Sequence, residues 1–111
     1  MNLGELVKDL SLELIAGEID ESRAVSGAYT GDLLSDVMAN SKKDNVWITL
    51  QTHSNIIAVA TLKELSAIII VLGKNIDDDT AQKAVREKIP VFRTALNAYQ
   101  ASGRLYENGI R

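Results

Sequence analysis

Two short runs of β-prone residues, Val46-Trp47-Ile48-Thr49-Leu50 and Ala67-Ile68-Ile69-Ile70-Val71-Leu72, constrain this chain more than anything else in it. Neither alternates with charged residues, so each reads as a strand buried on both faces of a sheet. Strands covered on both faces belong to parallel sheets, and adjacent parallel strands need a crossover, usually a helix. Between the runs, Ile56 to Leu65 must supply it. Ile56, Ile57 and Val59 favour a strand by propensity, whereas Leu62-Lys63-Glu64-Leu65 favours a helix. The crossover requirement decides for a helix throughout, and a buried helix can be apolar on most sides.

The remaining segments fall into place around this pair. Asn2 caps a helix with Leu3, Leu6, Val7 and Leu10 on one stripe. Leu12 to Ala16 suits a short, partly exposed strand ending at Gly17. Ala24 to Tyr29 reads as a second strand, with Gly27 marking a bulge or a close backbone approach. Thr30-Gly31-Asp32 begins a helix with Leu33, Leu34, Val37 and Met38 on its stripe. Asp77-Asp78-Asp79-Thr80 opens another, carrying Ala81, Ala84, Val85 and Ile89, which Pro90 stops before a brief strand, Val91-Phe92-Arg93. Thr94 is expected to cap the last helix, which runs to about Glu107 with Gly109 as its stop. Strand–helix alternation from Tyr29 onward predicts an α/β fold with a small, mostly parallel sheet of about five strands and helices on both faces. Residues 1–111 are expected to form one domain.

Composition excludes several function classes. A chain of 111 residues with 46% hydrophobic and 24% charged residues matches a globular domain. Its net charge of −3, without a Lys/Arg cluster interleaved with aromatics, argues against nucleic acid as a partner. The longest apolar block, Ala67–Leu72, is far short of the roughly 20 residues of a membrane span. Without cysteine, disulfides, thiolate metal sites and cysteine nucleophiles are ruled out together, and a cytoplasmic location is expected.

Ligands of open α/β sheets collect at the carboxyl ends of strands. Gln51-Thr52-His53-Ser54-Asn55 stands there, directly after the first run. Free N–H groups at the start of the next helix could hold a phosphate or carboxylate, with Thr52, Ser54 and Asn55 as added donors and His53 as a charge near neutral pH. The plainer alternative is that Thr52 or Ser54 caps the helix while Gln51 ties down the loop. His53, the only histidine, cannot build a metal site alone, and its nearest carboxylate partners are expected to be Asp32 and Asp36. Thr30, Gly31 and Asp32 form the partner loop if their strand neighbours Val46–Leu50. The alternative for Asp32 is complementing a helix N-terminus. Clustered acids such as Asp77-Asp78-Asp79 suit a hard cation, but capping and the helix dipole account for them, so neither a metal nor a cofactor is expected. No phosphate loop, nucleophile elbow or zinc-protease motif is present.

The last helix carries Tyr99 and Tyr106 on one broad face and the small residues Ala101, Ser102 and Gly103. Glycine within a helix costs about 1 kcal/mol relative to alanine, which the close approach of another backbone would justify. That backbone could belong to this domain's own sheet or to a partner.

The blocks Tyr29-Thr30-Gly31-Asp32-Leu33-Leu34-Ser35-Asp36-Val37-Met38, Trp47 to Ala60 and Gly103-Arg104-Leu105-Tyr106-Glu107 resemble the DRTGG domain family, and the resemblance runs essentially end to end. The literal Asp-Arg-Thr-Gly-Gly pentapeptide is missing, and Gln51–Asn55 is expected to stand in its place. The match is to a stand-alone, clostridial-type branch. The resemblance implies a fold like the N-terminal domains of HPr kinase/phosphorylase and of Mur ligases. It also implies a regulatory or assembly role, commonly as a homodimer, beside a serine-kinase-like or hydrogenase-associated protein. The function expected is therefore a non-catalytic module binding a small anionic metabolite, a nucleotide or a protein at its strand-end rim. A purely structural dimerisation protein is the alternative, and a phosphoryl- or acyl-transfer enzyme using His53 a third.

Overall fold

The computed structural model describes residues 1–111. Helices α1 (Leu3–Leu10), α2 (Leu34–Asn40), α3 (Asn55–Leu62), α4 (Asp78–Glu87) and α5 (Ala98–Glu107) alternate with strands β1 (Glu13–Ala16), β2 (Gly27–Thr30), β3 (Asn45–Thr49), β4 (Ala67–Ile70) and β5 (Val91–Arg93) after an initial α1-β1-β2 lead. The strands form one sheet in the order β1-β5-β4-β3-β2. Strands β2 to β5 run parallel, and β1 closes the far edge antiparallel to β5.

Each of the three crossovers steps the same way across the sheet. Because such crossovers are right-handed, α2, α3 and α4 must all land on one face. There Val37, Ile56, Ile57, Ala60 and Ala84 bury Trp47, Ile68, Ile70 and Val91. The other face is left to α1 and α5, whose Leu3, Leu6, Ala101 and Leu105 cover Val46, Ile48, Ala67, Ile69 and Phe92. Alternate residues of β3 and β4 thus serve opposite cores, which is why both strands lack polar alternation. Gly17 (φ 78°) lets the chain turn out of β1, where a Cβ would sit 2.6 Å from the Ile89 carbonyl oxygen.

Several sequence expectations shift. Ala24 makes only an isolated antiparallel bridge to Asn2, and β2 proper starts at Gly27. A Cβ on Gly27 would lie 3.2 Å from the Arg111 oxygen and from Asn45, so close approach explains the glycine. Helix α2 begins at Leu34, not at Thr30-Gly31-Asp32, because the Asp32 side chain bonds to the end of β3 instead. In α4, Val85 points away from the core, 62% exposed. Helix α5 is capped by Asn97, not Thr94. The Asn97 side chain takes the Gln100 N–H at 2.8 Å while Gln100 takes the Asn97 N–H at 3.0 Å, a reciprocal capping box. Thr94 accepts from Leu96 N–H in the preceding turn.

Candidate functional site

Neighbouring parallel strands deliver their carboxyl ends to the same rim, and β2 and β3 are such neighbours. The rim therefore gathers Thr30, Gly31 and Asp32 from β2 and Leu50 to Asn55 from β3. Hydrogen bonds fuse the two loops. Asp32 Oδ1 accepts the Thr49 hydroxyl at 2.8 Å and the Leu50 N–H at 2.7 Å. The Gln51 amide donates to the Asp32 carbonyl at 2.9 Å, and Gln51 N–H to Thr49 Oγ1 at 3.2 Å. From β3, the buried Trp47 indole N–H reaches the Gly31 carbonyl at 2.8 Å. A fully buried tryptophan must find such an acceptor, so Trp47 fixes the loop it touches.

Asp32 consequently ties one strand end to the next and does not complement the dipole of α2. Charge-assisted bonds of this length are about twice as strong as neutral ones. Thr30 extends the network to α5. Its hydroxyl lies 2.7 Å from Ser102 Oγ, and Ser102 donates its own proton to the Ala98 carbonyl at 2.7 Å, so Thr30 is the donor to Ser102.

On the other side the loop is fastened to α4. The Thr52 carbonyl accepts the Thr80 hydroxyl at 2.8 Å and the Asp77 N–H at 3.3 Å. His53 Nδ1 meets Asp77 Oδ2 at 2.7 Å, so the histidine pairs with neither Asp32 nor Asp36. Asp36 instead accepts the Tyr29 hydroxyl at 2.7 Å, which raises the phenol above its ordinary value of 10.0 by stabilising the protonated form. Ser54 makes no side-chain cap to α3. The N–H groups of Ile56 and Ile57 bond the His53 and Ser54 carbonyls, leaving those of Thr52, His53, Ser54 and Asn55 without protein partners. Asp77, Asp78 and Asp79 do not converge with other acids or histidines into a group that could hold a metal ion.

The α5 candidates separate. Ala101 is buried in this chain's own core, so its small side chain serves packing on the sheet. Ser102 is half-buried by its bond to Thr30. Tyr99 and Tyr106 stand out at 88% and 58% exposure, the latter under the Arg111 guanidinium at 4.4 Å. Nothing lies within 4 Å of the place a Cβ on Gly103 would occupy. The positioning roles of Thr49, Trp47, Asp77 and Thr80 were not foreseen from sequence. Only Trp47 carried a signal, its obligatory N–H in a buried strand.

A depression of about 460 Å³ lies at the opposite pole of the sheet, among Ile19, Arg23, Ser66, Val85, Lys88 and Pro90. It shares no residue with the rim, and no buried side-chain polar atom in the molecule lacks a partner. Its size alone gives it no chemistry, so the rim is the better candidate.

Fold and rim together define a small α/β domain whose β2 and β3 strand-end loops are hydrogen-bonded into one polar margin. The chain belongs to the DRTGG domain family, whose model matches residues 5–107. Among solved structures, it is similar to the CBS and DRTGG domains of the regulatory region of Clostridium perfringens pyrophosphatase, complexed with its activator diadenosine tetraphosphate. The TM-score is 0.73 at 16% identity, covering 94% of this chain and 45% of that one. The likeness is one of fold, and this chain spans less than half of the matched relative. No curated protein matches the sequence. No helix is long and apolar enough to cross a membrane.

Proposed function

We propose that this domain is a non-catalytic regulatory module of the cytoplasm whose working surface is the rim formed by Thr30–Asp32 and Gln51–Asn55. One observation carries the reading: Asp32, Thr49, Trp47 and Gln51 lock two loops into a single unit, yet Ser54 and Asn55 make no side-chain hydrogen bond within the chain and His53, paired with Asp77, stays exposed. A margin held this firmly is preorganised for a guest, which reduces the ordering cost of binding. The free N–H groups of Thr52 to Asn55 suit a small anion, and the nucleotide activator bound in the pyrophosphatase regulatory region makes a nucleotide the first class to try. A protein is the other class of guest. Thermal-shift and calorimetric screens with nucleotides and phosphometabolites, paired with capture from native cytoplasm, test this. Gln51, His53 and Asn55 to Ala should abolish whatever binding is found, and binding unaffected by all three would remove the rim from consideration.

A second reading, homodimerisation through α5, rests on the exposed Tyr99 and Tyr106 flanking the unobstructed Gly103. It predicts a concentration-independent dimer by light scattering that Gly103→Trp disrupts. Ala101 is no test of it, since a bulky residue there would break the core.

A further inference from the structure

The two edges of the sheet are built differently. Strand β1 carries Glu13, tied to Arg93, and a register shift between Leu14 and Ala16. A charge and a bulge are what discourage another chain from pairing with an edge. Strand β2, Gly27-Ala28-Tyr29-Thr30, has neither charge nor proline, and its register with β3 is unbroken from Gly27 opposite Asn45 to Thr30 opposite Ile48. Along a strand, the backbone groups of successive residues point to opposite sides. Gly31 N–H donates to the Ile48 carbonyl, so Tyr29 also faces β3. Ala28 and Thr30 then turn their N–H and C=O groups to the open side, where no hydrogen bond from the rest of the chain meets them.

Beside this edge lies a groove of about 480 Å³, floored by Ser26 to Tyr29 and bordered by Asn40, Lys42, Lys43 and Arg111. No aspartate or glutamate lines it, although the whole chain carries a net charge of −3. The acids nearest in sequence are engaged elsewhere. Asp36 takes the Tyr29 hydroxyl and the Asn40 amide, and Asp44 takes the Arg23 guanidinium. Lys42 has no ionic partner, and Lys43 has only Glu64, at 3.3 Å with both side chains exposed.

We infer that the open edge of β2 is a strand-addition site for an extended acidic segment of a partner protein. The segment exchanges backbone hydrogen bonds with Ala28 and Thr30, and its Asp or Glu side chains meet Lys42 and Lys43. A second copy of β2 would match the lysines less well, since Gly27 to Thr30 brings no acid and Asp32 beyond it is spent on Thr49 and Leu50. The groove sits along the amino half of β2, apart from the rim loops, so this surface does not depend on the rim being occupied.

The test uses the full chain and three labelled peptides of about eight residues, long enough to span the edge at ~3.3 Å per residue. One alternates Val and Glu, one alternates Val and Lys, and the third is the Val/Glu peptide N-methylated throughout. Binding is followed by anisotropy and by amide hydrogen exchange. The Val/Glu peptide should bind, slow exchange at Ala28 and Thr30, and weaken as salt rises, whereas the other two should not bind. Lys42→Glu combined with Lys43→Glu, both at exposed positions, should weaken the Val/Glu peptide about tenfold and admit the Val/Lys peptide. Admission of the second peptide shows that the variant is folded. Equal binding of the N-methylated peptide would mean that charge alone is recognised, and overturns the inference. Indifference to peptide charge or to the lysine reversals overturns it too, as does failure of the Val/Glu peptide to bind. Exchange at Ala28 and Thr30 that slows with protein concentration alone would give the edge to a second copy, again overturning it.

Discussion

Asp32 shows how much a single side chain can decide. Its Oδ1 gathers the hydroxyl of buried Thr49 and the N–H of Leu50, so removing it strands two donors, one of them buried. Asp32→Ala should cost about 1–3 kcal/mol in chemical denaturation, the range for leaving such groups unsatisfied. Asp32→Asn, which keeps an acceptor, should cost less. Tyr29 offers a titration. Its hydrogen bond to Asp36 holds the phenol neutral beyond its ordinary range, with desolvation and the Asp36 charge adding to the effect. A raised folded value means that the contribution to stability is complete below the unfolded value of 10.0 and disappears as pH climbs through the higher folded one. Asp36→Asn should bring one of the three tyrosine transitions back toward its ordinary position, read as tyrosinate absorbance. An unchanged titration would mean that the bond does not persist in solution. Neither contact could be read from sequence, because Thr49 and Asp32 become neighbours only once β2 and β3 pair.

Elements were more legible than contacts. The crossover argument placed α3 against the β-propensity of Ile56, Ile57 and Val59, and those residues are indeed buried in a helix between the sheet and its neighbours. The exposed face of α3 carries apolar Ala58 and Leu62 as well, which weakens the amphipathic signal, so only topology could decide. Boundaries were misread wherever a polar side chain had two possible partners. Thr94 precedes a helix as a cap would, but Asn97 with Gln100 completes the reciprocal pair, and the helix starts there. Asp32 looked like a helix opener and serves a strand end instead. In α5, Ala101 is small because it packs inward, while Gly103 is small with open space around it. Gly103→Ala should therefore stabilise a free-standing chain by about 0.5–1 kcal/mol, measured by denaturation. A loss of stability that grows with protein concentration would instead reveal a partner backbone against that face.

For the whole molecule, the sheet order explains why the rim is a margin and not a cleft. Strands β2 to β5 advance in one direction, so no two successive crossovers diverge to opposite faces and open a crevice between them. A domain built this way presents its strand ends as a shallow edge. Its relative in the pyrophosphatase regulatory region carries the same fold as part of a longer chain. Hydrogen exchange of the protein alone and with whichever nucleotide, phosphometabolite or protein the binding screens yield tests the central claim most directly. New protection should concentrate at residues 30–33 and 50–55; protection confined to the outer face of α5, or to the depression around Ile19 and Lys88, with the rim unchanged, would contradict it.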